Sequence, residues 1–302
     1  MIEVVRGGIV ESRHHVHVAV ADARGKVEDG VVERLGITEE ELALCCGSHE
    51  GQEEHVAGTR SILTKAGLDE SALRCGPHLP FSEASARALI RGGGEPRPVH
   101  NNCSGNHAGM LALAVAMGWD PEGYHLADHP VQRRMLAEIS RWSQIPGERI
   151  GTAVDGCGVT CFSVPLVAMA ASFARFAAAS GRGEGPARII QAMVRHPHRV
   201  GGTGRACTEV MQRTGPRAFV KLGAEGGVYG GGLPGREWGF AIKVSDGSRR
   251  AAEVVLVAVL EALGALDPVD VDALPRWKRP AVRNTRGEVV GELRSALTLA
   301  WS

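Results

Sequence analysis

The chain has 302 residues, of which 44% are hydrophobic, so it is long enough to bury a substantial core. Its 34 basic residues balance its 34 acidic residues, which excludes the strong net charge that draws proteins to nucleic acid or anionic lipid. No apolar run is long enough to cross a bilayer, and the first six residues lack the pattern of a signal peptide. We therefore expect a cytoplasmic protein without a membrane or nucleic-acid partner.

The chain is predicted to begin with a strand and to continue with helices. Apolar residues alternate with polar or small ones over residues 16–20, which is typical of a strand. Thr38 and Glu41 have the spacing of a capping box, which predicts a helix that ends near Gly47. The composition of segment 53–66 predicts a second helix.

The middle of the chain contains the signals of further helices. Ser82 is expected to open a helix, and segment 108–115 is apolar on all sides, which indicates a buried helix. Asp128 precedes a proline and is expected to cap an amphipathic helix. Segments 166–179 and 189–194 are also predicted to be helical.

The last third is glycine-rich and contains two predicted strands, 218–221 and 239–244. An apolar helix over 251–263 is expected to close the main domain. We assign residues 1–265 to this domain, as two merged subregions, and residues 266–302 to a linker and a short tail that could add a hairpin.

Two cysteine motifs could carry chemistry. Cys103 and His107 are one helical turn apart, so they could share a metal or a substrate. Their spacing alone favours a buried cysteine and a hydrogen-bonded histidine at the start of a helix. Cys157 lies between two glycines, which would let the backbone approach a ligand closely.

One serine and two lysines are the candidates for nucleophilic chemistry. Ser48 is followed by possible proton carriers, although a serine before a helix is more often its N-cap. Lys221 and Lys243 interrupt or end apolar strands, where desolvation would lower the pKa of a lysine. Lys221 begins a Lys-Leu-Gly sequence that has the outline of the Lys-Thr-Gly strand of serine β-lactamases, so we favour it. The glycine-rich loop 201–205 lacks the ending of a P-loop, and nucleotide binding there is not expected.

An ordered series of motifs resembles the rhizobial-type, thermolabile L-asparaginase family. The resemblance extends over nearly the whole chain to about Leu263. The motifs are Glu11-Ser12-Arg13-His14, Ser48-His49-Glu50-Gly51, Cys75-Gly76-Pro77-His78, Asn102-Cys103-Ser104-Gly105, Asp155-Gly156-Cys157-Gly158, Gly201-Gly202-Thr203-Gly204-Arg205, Gly223-Ala224-Glu225-Gly226, and Ile242-Lys243 with Asp246-Gly247.

This resemblance implies an α/β fold similar to that of β-lactamases and glutaminases, in which a sheet with flanking helices meets a helical region. It also implies a homodimer that hydrolyses L-asparagine to aspartate and ammonia. The family uses two serine-lysine pairs near a metal, usually zinc, that two cysteines and a lysine hold.

The resemblance also assigns roles to residues of this chain. Ser48 and Lys221 match the second serine-lysine pair and are the predicted catalytic residues. Predicted substrate-binding residues are His49, Asp155, Gly204 and Arg205. Predicted metal ligands are Cys103, Cys157 and His107.

Two departures from the family pattern concern the reaction itself. The family carries a Ser-x-x-Lys nucleophile motif between its first strands and the capping-box helix. This chain has only Lys26-Val27-Glu28-Asp29-Gly30 at that place, which suggests a deletion. Asn106 stands where the family has its metal-binding lysine. Three hypotheses follow: Ser48 has become the nucleophile, the chain is an inactive homologue that binds asparagine or acts as a partner subunit, or the sequence record has lost a segment.

Overall fold

The computed structural model describes residues 31–181, 184–223 and 227–297. The predicted strand over 16–20, the Glu11-Ser12-Arg13-His14 motif and the Lys26–Gly30 junction lie outside the described residues. α-Helices form nearly half of the described chain. They are α1 (Val31–Leu35), α2 (Glu39–Cys45), α3 (Glu53–Lys65), α4 (Glu83–Arg91), α5 (Ser104–Ala116), α6 (Pro130–Ser143), α7 (Leu166–Ala179), α8 (Glu184–Arg195), α9 (Pro197–Val200), α10 (Ala206–Thr214), α11 (Arg249–Ala262), α12 (Pro268–Asp272) and α13 (Pro275–Lys278).

The strands of the described residues form three small antiparallel sheets. They are β1 (Gly151–Val154), β2 (Thr160–Ser163), β3 (Phe219–Leu222), β4 (Val228–Leu233), β5 (Trp238–Lys243), β6 (Ala281–Arg283) and β7 (Val289–Glu292). β1 pairs with β2, β4 lies between β3 and β5, and β6 pairs with β7. The expectation of a chain that mixes helices with sheet is therefore confirmed.

Strong local signals placed several helices correctly. Thr38 Oγ1 accepts from the Glu41 backbone N–H at 3.3 Å, and Glu41 Oε2 accepts from the Thr38 N–H at 2.7 Å, which completes the predicted capping box. Ser82 caps α4, and α7 covers the predicted segment 166–179. The predicted cap of α6 is wrong: its N-cap is His129, whose Nδ1 accepts from the Val131 N–H at 3.1 Å, because Pro130 takes the first helical position.

The sequence did not predict β4, the central strand of the three-stranded sheet. Gly230, Gly231 and Gly232 follow one another in it, and glycine is normally unfavourable in strands. Here the neighbours require it: a Cβ at Gly230 would lie 2.3 Å from Phe173 Cε2, and one at Gly231 would lie 2.2 Å from the Phe219 carbonyl oxygen. α7 therefore packs very close to this sheet, against β4 and β5.

The core of the protein continues from this sheet to the buried helix α5. α5 packs against α2 and α3, and Gly105 at its start fits closely against Leu44 of α2. Its residues from Ser104 to Ala114 are all buried. The start of α5 is thereby fixed beside the loop that joins α2 to α3.

The segment after residue 266 adds two short helices and the predicted hairpin, β6 and β7. Trp277 of α13 is buried, and its Nε1 donates to Glu209 Oε2 of α10 at 2.7 Å. This bond holds the segment against the rest of the chain. Among the described residues, no helix is both long and apolar enough to cross a membrane.

Candidate active site

Ser48 lies in the loop between α2 and α3 and is almost fully buried. The interpretation of Ser48 as a helix cap is wrong, because the N-cap of α3 is Gln52. The Ser48 Oγ instead accepts a hydrogen bond of 2.7 Å from the Asn102 side-chain amide. The His49 backbone N–H donates to the Asn102 carbonyl at 2.9 Å, so the Ser48 loop is fixed to the loop before α5.

His49 is fully buried beside Ser48 and is held at both ring nitrogens. Its Nδ1 accepts from the Gly51 N–H at 3.2 Å, and its Nε2 is hydrogen-bonded to the Ser104 Oγ at 3.2 Å and accepts from the Gly105 N–H at 3.4 Å. Burial lowers the pKa of His49 well below its usual value, and the nearby His55 lowers it further. The imidazole is therefore neutral at physiological pH and serves as a rigid neighbour of the serine.

The loop 201–205 covers the other side of the Ser48 loop. The Glu50 N–H donates to the Gly201 carbonyl at 3.0 Å, and the Glu50 carboxylate forms an ion pair with Arg205. The Arg205 side chain is only 1% exposed, and Phe81 lies over its guanidinium at 5.8 Å. Gly204, which precedes Arg205, lies beside the Arg276 guanidinium. A Cβ added at Gly204 would lie 3.5 Å from Arg276 Nη1.

Lys221 and Lys243 have different surroundings, although both lie in the three-stranded sheet. Desolvation lowers the pKa of Lys221, and the nearby Cys103 and Cys46 thiols act in the opposite direction. Lys221 in turn acts on the pKa of His49. Lys243 Nζ donates to the Val244 carbonyl at 2.7 Å. Lys221 thus acts electrostatically on a residue of the Ser48 loop.

Cys103, Cys157 and His107 lie side by side. The neighbouring Cys103 thiol and burial raise the pKa of the Cys157 thiol, whereas His107 lowers it. As the spacing predicted, Cys103 and His107 are buried at the start of a helix, and His107 Nδ1 is hydrogen-bonded to the Tyr124 hydroxyl at 2.5 Å. The β1–β2 turn supplies Cys157, and Asp155 of the same turn accepts from its thiol at 3.6 Å.

The donors around Cys103 were tested for a fit to zinc. Two thiols and an imidazole are ligands that zinc accepts, and His107 Nε2 is buried without a hydrogen-bond partner. Nevertheless, within the described parts of the chain, no group of three or more His, Cys, Asp or Glu side chains is arranged to hold a metal ion. Asn106 offers no nitrogen ligand comparable to a lysine amine, and zinc binding at these residues stays a prediction.

Two residues that organise the site, Asn102 and His78, were not predicted from the sequence. The Asn102 backbone N–H donates to His78 Nε2 at 3.1 Å, while its side chain bonds to Ser48. His78 Nδ1 donates to the Leu79 carbonyl at 2.6 Å, and its Nε2 also lies 3.0 Å from Asn102 Oδ1. Both residues belong to motifs that resemble the family, so the sequence could have marked them as site residues. Their residue types do not indicate which side chains they would contact.

The Ser48 hydroxyl is therefore buried beside a neutral histidine, and Lys221 acts on the pKa of that histidine. A lysine with a lowered pKa is a side chain that can serve as a base toward a hydroxyl. Comparison with curated protein sequences gives no match. The model of the L-asparaginase II family, in contrast, matches residues 26–295, which is most of the chain. The chain therefore belongs to the L-asparaginase II family.

Proposed function

We propose that the chain hydrolyses the side-chain amide of L-asparagine to aspartate and ammonia, with Ser48 as the nucleophile and Lys221 as its base. Family membership supports an amidohydrolase. The observation that carries the choice of residues is the lowered pKa of Lys221 in the surroundings of the buried Ser48 loop. A lysine with a lowered pKa is neutral more often, so it can accept the serine proton.

In the proposed reaction, Lys221 takes the proton from Ser48 Oγ, and the oxygen attacks the amide carbon of asparagine. The carbon–nitrogen bond breaks, and the proton held by Lys221 leaves with ammonia. Water then attacks the acyl-serine ester, loses a proton to Lys221 and releases aspartate while Ser48 recovers its hydrogen. Asn102 holds the serine oxygen in place by the 2.7 Å hydrogen bond.

The other predicted residues are given roles that fit their contacts. Arg205 is ion-paired with Glu50 and almost fully buried, so we propose that it positions the Ser48 loop. His49 supports the same loop as a neutral ring. Asp155 orients Cys157, and its carboxylate could also face the amino group of the substrate. Zinc at Cys103 and Cys157 stays a prediction, and no step is assigned to it.

The relationship of the fold to known enzymes and the oligomeric state are also part of this proposal. We propose that the fold is related to that of β-lactamases and glutaminases, since a helix packs on an antiparallel sheet next to a helical region. A homodimer is proposed from the family resemblance. Mass photometry of the purified protein would measure the oligomeric state directly.

The proposal is tested by ammonia release from L-asparagine by the purified chain. Ser48→Ala should abolish turnover, whereas Ser172→Ala, which removes a hydroxyl bonded to the Ala168 carbonyl in α7, should not. Lys221→Met should reduce kcat on the order of 10²–10⁴-fold, while Lys243→Met serves as the matched control.

The rate should rise with pH as Lys221 loses its proton and level off below the usual lysine value, because burial lowers its pKa. Unchanged turnover in Ser48→Ala would refute the assignment.

A second candidate function is that of an inactive homologue that binds asparagine. It is favoured by the hydrogen bond from Asn102, because an amide N–H cannot take the serine proton, and by the missing Ser-x-x-Lys sequence. It predicts that asparagine raises the melting temperature without releasing ammonia. Intact-mass measurement of the same sample would show whether a segment is absent from the sequence record.

A further inference from the structure

A cleft with a volume of about 740 Å³ lies between α11 and the segment that contains α13 and β6. Five arginines line it: Arg249, Arg250, Arg276, Arg279 and Arg283. All five are exposed to solvent, whereas Glu253, Val254 and Trp277 form a buried floor. None of its lining residues is assigned a role in the proposed reaction, and Arg276 borders the loop 201–205 at Gly204.

The positive charge of the cleft is largely uncompensated. Arg249 Nε forms an ion pair of 2.8 Å with Glu253 Oε1, which neutralises one arginine. For Arg250, Arg276, Arg279 and Arg283, no carboxylate in the described ranges lies within ion-pair distance. The net formal charge of the chain is zero, so this concentration is a local feature. Like charges around a cleft repel one another, and a bound anion removes that repulsion.

The wall of the cleft is fixed before any ligand arrives. Trp277 is anchored by its hydrogen bond to Glu209, and the Arg276 guanidinium lies over the Trp277 ring at 4.6 Å. Arg283 Nη1 donates to the Gly287 carbonyl at 2.7 Å, which holds it at the start of the hairpin turn. Pro275 and Pro280 restrict the backbone on either side of Arg279. The guanidinium groups are thus partly ordered, which reduces the entropy that binding must remove.

We propose that this cleft binds a small polyanion that carries several phosphate groups, of the size of a nucleoside triphosphate. Arginine is the side chain best matched to phosphate, since its planar fork donates two parallel hydrogen bonds. The volume falls within the range of small-molecule sites, roughly 300–1,000 Å³. A small ligand is favoured over nucleic acid because the arginines surround a concave cleft, and the neutral chain supplies no long-range attraction for a polymer.

Calorimetric titration of the whole protein with inorganic triphosphate and with ATP, near physiological ionic strength, tests the proposal. We expect one site per chain for both ligands and weaker binding of inorganic phosphate. In the double variant Arg276→Gln/Arg279→Gln, Kd should rise about tenfold for each arginine removed, as expected for charge-assisted hydrogen bonds. The matched control Arg87→Gln/Arg91→Gln, on the exposed helix α4, should leave Kd unchanged.

Three outcomes would overturn the proposal: neither ligand binds, both double variants weaken binding equally, or a single-stranded oligonucleotide binds more tightly than inorganic triphosphate.

A second measurement does not depend on the variants folding. Triphosphate should protect Arg276 and Arg279 of the unmodified protein from phenylglyoxal, as read by peptide mass spectrometry, and equal modification with and without triphosphate would also overturn it. Neither measurement uses asparagine turnover, so failure here leaves the proposed function untouched.

Discussion

The charged groups around Ser48 and those of the arginine-lined cleft differ in how they are compensated. Arg205 and Glu50 are buried and paired with each other, and His49 is kept neutral by burial. In the cleft, four arginines face solvent without a carboxylate partner among the described residues. Water tolerates an uncompensated charge and a protein interior does not. The buried charges are therefore tied to the integrity of the fold, whereas the exposed ones are available to bind a ligand.

The largest expected effect on stability follows from breaking the buried ion pair between Glu50 and Arg205. Glu50→Ala leaves the Arg205 guanidinium buried without its partner, so the free energy of unfolding should fall by about 3–5 kcal/mol. The matched control is Glu83→Ala, which removes the partner of Arg87 in an exposed pair and should cost about 0.5 kcal/mol or less. Urea denaturation of both variants gives the two values. Equal small losses would mean that Glu50 and Arg205 do not depend on each other.

A smaller effect concerns the buried histidines. Burial lowers the pKa of His49 and of His55, so below a pH of about 6.5 the unfolded chain binds protons that the native chain does not. Stability should therefore be complete above that pH and fall as the pH drops, by up to about 1.4 kcal/mol per pH unit for each histidine.

Urea denaturation across this pH range tests the effect. His55→Gln should make the decline less steep, because one proton-linked group is removed. A variant curve parallel to that of the unchanged protein would show that the slope has another source.

The smallest effect is expected in the cleft. Arg276→Gln/Arg279→Gln removes two mutually repelling charges from an exposed surface, so the protein should become more stable at low salt, on the order of 0.5 kcal/mol. High salt should remove the difference, because the repulsion is screened. Melting temperatures at two salt concentrations measure this effect. A loss of stability at both would show that the two arginines hold the structure together.

Much of the helical structure could be predicted from the sequence because its signals are local. The Thr38 capping box and the Ser82 cap each need only three or four residues, and α7 was predicted with its observed bounds, 166–179. The strand β4 could not be predicted. Its glycines contradict strand propensity, and only the close approach of Phe173 and the Phe219 carbonyl explains them.

The candidate site, too, has features that the sequence indicated and features that it could not predict. Ordered motifs indicated the family that the match over residues 26–295 then showed, and they are the basis on which Ser48, Lys221, Cys103 and Cys157 are proposed as site residues. Motifs could not show that Asn102 holds the Ser48 hydroxyl, because the two residues are 54 positions apart. His78 was likewise recognised only as part of a motif, without its partner.

The sequence by itself determined the chemistry that this protein has available: a serine, two strand lysines, seven cysteines and a chain of zero net charge. The tertiary structure decided which of these groups meet. It placed Lys221 where it acts on His49, paired Arg205 with Glu50, and gathered arginines from α11, α13 and β6 around one cleft. The physical reason is range: caps and periodicity act over a few neighbouring residues, whereas burial and charge pairing depend on segments that only folding brings together.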